Sequence, residues 1–376
     1  MKKMILSLVI AAVTLCSCGA NVIDTDKNDK DNNTEIRFIK ENNIEYNNGC
    51  VYGSKPAMYL DFETLKRTPL CALPNCMHNK SDCLANMVGN TPIFYNDYIY
   101  FFESNYGAVR ETKNGPEFYI DSKLKKASID SSQIDVVCKF NDCAPEQGFT
   151  GIVLKGSKIY FTADDLNPKL SPYGSYGWGN SGGNHFLCSI DLDTGEYKNY
   201  GSIYDGDKEY DGAEYSSCAN ITGVYNDTMY IRYSFIKDNQ ALQSGGGKNL
   251  DELYEHLNFE FDFDNETWKE SELPFSWSMN NETYTYYDAA TSLEHVIYKG
   301  EDKTFPLDDS GEIPKEYNGL LFLEKDKSKF YDLETMTEYS MGKYSDYRLM
   351  GYSDGSYIFT NSLEYVKLTE EELKSL

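Results

Sequence analysis

From Ile36 onward, apolar and polar residues alternate in short bursts separated by Asn, Asp, Gly and Ser, which is the period-two signature of half-buried strands joined by tight turns. One turn module recurs. Tyr59-Leu60-Asp61-Phe62-Glu63-Thr64, Ser189-Ile190-Asp191-Leu192-Asp193-Thr194-Gly195 and Phe330-Tyr331-Asp332-Leu333-Glu334-Thr335 are near copies, and Phe261 to Thr267 and Ser128 to Ser132 are looser ones. Short Asp, Asn and Thr side chains bond nearby backbone amides, so each copy predicts a hairpin. A second hairpin precedes most copies: Ile93 to Phe101 around Asn96-Asp97, Ile152 to Phe161 around Gly156-Ser157, Val224 to Ile231 around Asn226-Asp227, and Met350 to Phe359 around Asp354-Gly355.

Two hairpins make a four-stranded antiparallel unit, and such units in tandem predict an all-β fold, a β-propeller. The segments 44–72, 91–140, 148–204, 218–272, 276–308, 314–342 and 345–376 parse as seven blades, with six or eight as alternatives. The strand around 35–40 is expected to complete the last blade, whose own sequence supplies only three strands. Helical patterns are confined to Lys248 to Leu257 and Thr369 to Leu376. Composition agrees, since 32 Tyr, 19 Phe and 3 Trp suit pleated surfaces.

The formal net charge of −25 excludes nucleic acid as a natural partner and disfavours anionic lipid surfaces, while it suits solubility, cations or basic partners. The first residues read differently. Lys2 and Lys3 precede an apolar run from Met4 to Leu15 that is too short to span a bilayer, so residues 1–17 form an export signal. Leu15-Cys16-Ser17-Cys18 resembles the lipobox of bacterial lipoproteins, which implies cleavage before Cys18, acyl chains such as palmitate on that cysteine, and a membrane-anchored, extracytoplasmic protein. The rival Cys16 would put bulky Leu15 at the cut. Residues 18–35 then form a flexible acidic tether, and 36–376 the propeller. Asp24, Asp26, Asn28, Lys30, Asn32 and Glu35 have calcium-loop spacing, but Asp29 stands where the sharp turn needs Gly.

The densest chemistry lies between the first two blades. Cys71, Cys76, His78 and Cys83 carry the thiolates and imidazole that zinc prefers, without the usual pair of cysteines two residues apart. Removing the signal and setting aside Cys18 leaves Cys50, Cys71, Cys76, Cys83, Cys138, Cys143, Cys188 and Cys218, an even set, and Cys138 and Cys143 repeat the spacing of Cys71 and Cys76. For an exported chain that favours disulfides, as local staples at blade ends, over a structural zinc. The run from Cys71 to Cys83 also resembles a segment of propeller-type lipoproteins of gut Firmicutes, over the first two blades, and that resemblance implies no activity.

The Gly-rich stretch 171–184 exposes Tyr173, Tyr176 and Trp178 as candidate ligand-stacking residues, and 105–117 and 239–251 read as further loop insertions on the same rim. His185 reads as a partly exposed strand-end residue. No nucleophile elbow, His-Glu-x-x-His, P-loop or dinucleotide fingerprint occurs, and the sequence singles out no catalytic residue. The expected function is binding or scaffolding of a glycan, peptide or protein partner at the cell surface. The alternative is a propeller hydrolase or lyase acting on extracellular polysaccharide.

Overall fold

The computed structural model describes residues 36–376 apart from 40–43, 54, 90, 114, 142, 146–150, 165–184, 204–216, 237–253, 275–277, 280–281, 289–290, 292, 306–314, 324–325 and 362. Seven small antiparallel sheets form a ring, a seven-bladed β-propeller. Blade one is Ile44–Glu45, Gly49–Tyr52, Met58–Asp61 and Arg67–Pro69; blade two is Ile93–Tyr95, Tyr98–Thr112, Gly115–Ser128 and Ile134–Phe140. Blade three is Ile152–Lys155, Lys158–Asp164, His185–Asp191 and Tyr197–Ser202; blade four is Ser217–Tyr225, Thr228–Ile236, Tyr254–Asp262 and Thr267–Glu270. Blade five is Ser278–Met279, Thr283–Asp288, Leu293–Tyr298 and Glu301–Phe305; blade six is Lys315–Tyr317, Leu320–Phe322, Lys329–Asp332 and Thr337–Ser340. Blade seven has three strands, Arg348–Ser353, Ser356–Thr360 and Tyr365–Thr369, and leads into the helix Glu370–Lys374. Thr369 caps that helix in a reciprocal box with Glu372. Among the described residues no helix is long and apolar enough to cross a membrane.

The repeated turns work as their composition requires. Asp61 accepts from Thr64 N–H at 2.6 Å, Asp191 from Thr194 N–H at 2.9 Å, Asp262 from Asn265 N–H at 3.1 Å and Asp332 from Thr335 N–H at 2.9 Å. The residue four after each Asp takes a left-handed conformation: Leu65, Gly195, Glu266 and Met336. The aspartate side chain thus holds a strained turn that only Gly195 adopts without steric cost. Turns between first and second strands and between third and fourth strands share one face of the ring, the turn face. The second-to-third loops and the blade-to-blade connections leave from the other, the loop face.

Apolar faces of neighbouring blades pack against each other all round the ring. One cluster joins blades one to three, Val153 and Tyr160 meet Ile231 and Phe261 between blades three and four, and Tyr230 meets Tyr284 between four and five. Val296 and Tyr298 join Leu321 and Tyr331, Phe322 and Phe330 join Tyr357 and Phe359, and Leu60 and Phe62 join Met350 and Ile358 to close the circle. Such stacking stabilises each unit through its neighbours and leaves few sheet edges bare.

Three expectations need correction. The strand Ile36–Ile39 does not complete blade seven: it pairs antiparallel with Ile152–Lys155, the innermost strand of blade three, in the register Ile36 opposite Lys155 and Ile39 opposite Ile152. Arg37 donates to the carbonyl of Phe94 on the inner strand of blade two at 2.8 Å, and Phe38 and Ile36 pack on the blade three to four cluster. Ile39 is buried and Ile36, Arg37 and Phe38 are half-buried, with Arg37 satisfied by the Phe94 carbonyl, so the strand fits an inner edge of the ring. Residues 105–117 are not a loop insertion, because backbone pairing of blade two's central hairpin runs, through one bulge at Gly107, to Thr112 opposite Gly115. The fourth strand pairs only with Ser122 to Ala127, so the last seven rungs project beyond it as a two-stranded arm on the loop face, roughly 23 Å at the usual rise. Tyr254 to Leu257 is strand rather than helix, paired with Tyr233 to Ile236.

Candidate metal centre

The connection from blade one to blade two runs from Leu70 to the inner strand at Ile93. Leu70 is buried and its N–H donates to Ala57 O at 2.9 Å; Ala57 N–H in turn donates to Ala85 O at 2.7 Å. Leu84, Ala85 and Val88 bury the short helix Leu84–Met87 in the core of blades one to three. With both ends fixed, the segment between them must reverse direction, and it does so at Asn75 and His78, which both take positive φ. Asn86 Nδ2 donates to His78 O at 3.0 Å and to Lys80 O at 2.8 Å, and Ala72 N–H donates to Ser131 Oγ of blade two at 3.2 Å.

This folding brings together one ligand atom each from Cys71, Cys76, His78 and Cys83, all within 4.8 Å of one another. Cys83 is buried and the other three are half-buried. The His78 Nδ1 to Cys83 Sγ separation is 3.5 Å. A tetrahedral zinc ion with bonds of about 2.3 Å to sulfur and 2.0 Å to nitrogen sets its ligands about 3.5 to 3.8 Å apart, so this edge has the required length. The remaining edges, at 4.8 Å or less, need to close by about 1.3 Å at most. The electrostatics fit a site built for several thiolates: the backbone N–H of His78 lowers the Cys76 thiol, while burial, with the thiols of Cys76 and Cys71 beside it, pushes Cys83 up to about 11. A divalent cation would favour deprotonation of all three.

None of the eight described cysteines is at disulfide distance from another, so the expected local staples are not shown. The parallel between Cys71–Cys76 and Cys138–Cys143 fails because the second pair points to different places. The Cys138 thiol lies toward Lys139 O at 3.9 Å, whereas Cys143 turns inward to Cys188 and Tyr197. Cys18, Tyr173, Tyr176 and Trp178 lie outside the described residues. His185 is fully buried rather than partly exposed, with Nδ1 2.5 Å from Asp164 Oδ1 and its ring against Tyr233.

Glu45 is a residue the sequence gave no reason to single out. It stands on the inner strand of blade one beside Gly351 of blade seven, open to water but walled by the two blades. That enclosure pushes its carboxyl up to about 7, against the backbone N–H of Tyr352, which favours the charged form.

No protein-family model matches the chain, and no curated protein matches it. Among solved structures it is similar to oligogalacturonate lyase from Vibrio parahaemolyticus, at 10% identity, 90% of this chain and 92% of that one, and a TM-score of 0.45. It is also similar to the β-propeller domain of the Trilobed protease from Pyrococcus furiosus, at 9% identity, 91% and 93% coverage, and a TM-score of 0.40. Neither likeness carries over an activity.

Proposed function

We propose that the protein is a lipid-anchored extracytoplasmic propeller that binds or scaffolds a glycan, peptide or protein partner on its loop face, with zinc held structurally by Cys71, Cys76, His78 and Cys83. The direction of the strand Ile36–Ile39 carries this reading. Ile36 lies beside Lys155, next to the turn at Gly156-Ser157, so the chain enters along the inner strands from the turn face. Whatever precedes Ile36 therefore attaches at that face, and an anchor on Cys18 draws it toward the membrane. The loop face is turned outward. It carries the projecting hairpin of blade two, and the strand ends Asp164 and His185 that flank residues 165–184, with Tyr173, Tyr176 and Trp178 among them. Zinc takes precedence over disulfides because four donors of two kinds converge on one point, which a pairwise cross-link would not require.

The test is epitope access on acylated protein reconstituted in vesicles. An epitope inserted after Lys113 at the arm's tip should bind antibody several-fold better than the same epitope in the Asn96-Asp97 turn; equal access on vesicles would overturn the orientation. Glycan and peptide arrays with the intact protein, and with residues 171–184 deleted, then identify the partner.

One observation favours a second reading, a polysaccharide hydrolase or lyase. The raised carboxyl of Glu45 is an acid that changes protonation near neutral pH, as general acid–base catalysis needs. Under that reading a polysaccharide panel shows turnover that Glu45→Gln abolishes while ligand binding persists.

A further inference from the structure

Two cysteines outside the metal centre meet inside blade three. Cys143 lies at the end of the crossing from blade two, just before Ala144–Pro145 pair with Ala163 and Asp164. Cys188 lies on the third strand of blade three, opposite Phe161. Both are fully buried, and their sulfurs are 3.9 Å apart, in contact although 45 residues separate them. The Tyr197 hydroxyl lies 3.2 Å from Cys143 Sγ and 3.4 Å from Cys188 Sγ, and its ring stacks on Phe140 at 4.9 Å. The other thiols outside the metal centre have different surroundings: Cys50 is packed among Leu60, Phe62, Met350 and Ile358, and Cys218 accepts from Asn220 at 3.6 Å.

We infer that Cys143 and Cys188 are a disulfide-forming pair that ties the blade two to three crossing to the body of blade three, so that five of the eight described cysteines divide between two chemistries. The sulfurs must approach by about 1.9 Å to reach a bond of about 2.05 Å, a distance within the swing of two side chains about χ1. The inference rests on the export reading, because thiols oxidise outside the cytoplasm and stay reduced within it. The oxidant is a disulfide of an extracytoplasmic thiol–disulfide carrier, or glutathione disulfide. One cysteine thiolate attacks that disulfide and expels one carrier thiolate. The second cysteine thiolate attacks the resulting mixed disulfide and expels the other. The pair loses two electrons and two protons, and the carrier becomes a dithiol. Both sulfurs are closed off in the finished ring, so exchange precedes the last packing of the blade. In the product the Tyr197 hydroxyl is still placed to donate to either sulfur.

The experiment is peptide mapping of the protein isolated from the cell envelope, alkylated in denaturant without reductant and digested. The expected result is one linked pair of peptides containing Cys143 and Cys188, with Cys71, Cys76 and Cys83 recovered as alkylated thiols. Protein processed to Cys18 in which Cys143 and Cys188 carry the alkyl label overturns the pairing. Protein that retains Met1 instead overturns the export reading. The pairing is then judged on purified, reduced full-length chain refolded with glutathione disulfide, where the same linked pair supports it and alkylated Cys143 and Cys188 overturn it. Because loss of a buried thiol can itself cause misfolding, the mapping uses the unaltered sequence. The Cys143→Ala, Cys188→Ala double variant adds one readout: reductant should lower the unfolding midpoint of the parent and leave the variant's unchanged.

Discussion

Two junctions between neighbouring blades solve the same problem with different chemistry. Blade one passes to blade two through a long covalent connection, and there Cys71, Cys76, His78 and Cys83 gather around one point while the helix Leu84–Met87 plugs the core. Blade seven meets blade one with no strand exchanged between them. That seam is held by Cys50, Leu60, Phe62, Met350 and Ile358, all buried, by the hydroxyls of Tyr52 and Tyr365 at 2.7 Å, and by bonds from Ser353 to Asn48 and from Lys367 to the Phe62 carbonyl. The contrast teaches where a ring needs specific chemistry. At the seam, flat strands offer apolar faces that pack directly. The connection has few apolar residues between Cys71 and Cys83, with Leu73 and Met77 exposed, so packing cannot order it and ligands to a metal can.

The seam is the place to break the ring with the largest effect. Phe62 is 1% exposed and sits at its centre, so Phe62→Ala should cost about 3–5 kcal/mol of unfolding free energy in a denaturant titration. A loss below about 1 kcal/mol would mean that the seam does not govern closure. Gly351 tests the same contact from the other side. A Cβ there would lie 2.6 Å from Phe62 Cζ, and Gly351→Ala should destabilise by about 1–3 kcal/mol through overpacking.

At the other junction the stabilisation is set by mass action. With free zinc a thousandfold above its dissociation constant the gain is about 4 kcal/mol, which chelation should remove and Cys76→Ser should abolish. Metal analysis is expected to give one zinc per chain. A chelated protein with an unchanged melting curve would show that packing alone orders both junctions, and the comparison would fail.

The difference between the junctions also marks what the sequence discloses. The turns at Asp61, Asp191, Asp262 and Asp332 are local, each bonding its own backbone within three residues, so repeats and blade count are readable from spacing. The partner of Ile36–Ile39 is not readable, because that strand's apolar residues would fit any inner edge and the choice of blade three is made by the assembled ring. Composition marked Cys71 to Cys83 as metal-like, yet convergence depends on reversals at Asn75 and His78 that spacing does not encode. Blade two's arm was hidden for a similar reason: Gly107 and Gly115 suggest a loop, but pairing on both sides of the bulge at Gly107 overrides local propensity. Glu45 is one acid among 60 Asp and Glu, and only its neighbours from the far end of the chain distinguish it.

Smaller effects sharpen the seam. Tyr52→Phe removes the bond between the Tyr52 and Tyr365 hydroxyls and should cost about 0.5–1.5 kcal/mol, well below the loss at Phe62.

The smallest expected effect is the pH dependence contributed by Glu45, which faces blade seven across the same seam. Its carboxyl ionises near 4.5 when unfolded and at about 7 in the ring. Between those values the folded state holds the proton that the unfolded state has released, so stability falls as pH rises. The contribution is fully present below pH 4.5 and lost as pH passes through 7. Water reaches the carboxyl, so screening keeps the effect small. Glu45→Gln cannot ionise. The difference in unfolding free energy between parent and variant should therefore drift against the parent from pH 4.5 to 7 and level off above it. A flat difference across that range would mean that the space around Glu45 between blades seven and one is as wet as bulk solvent.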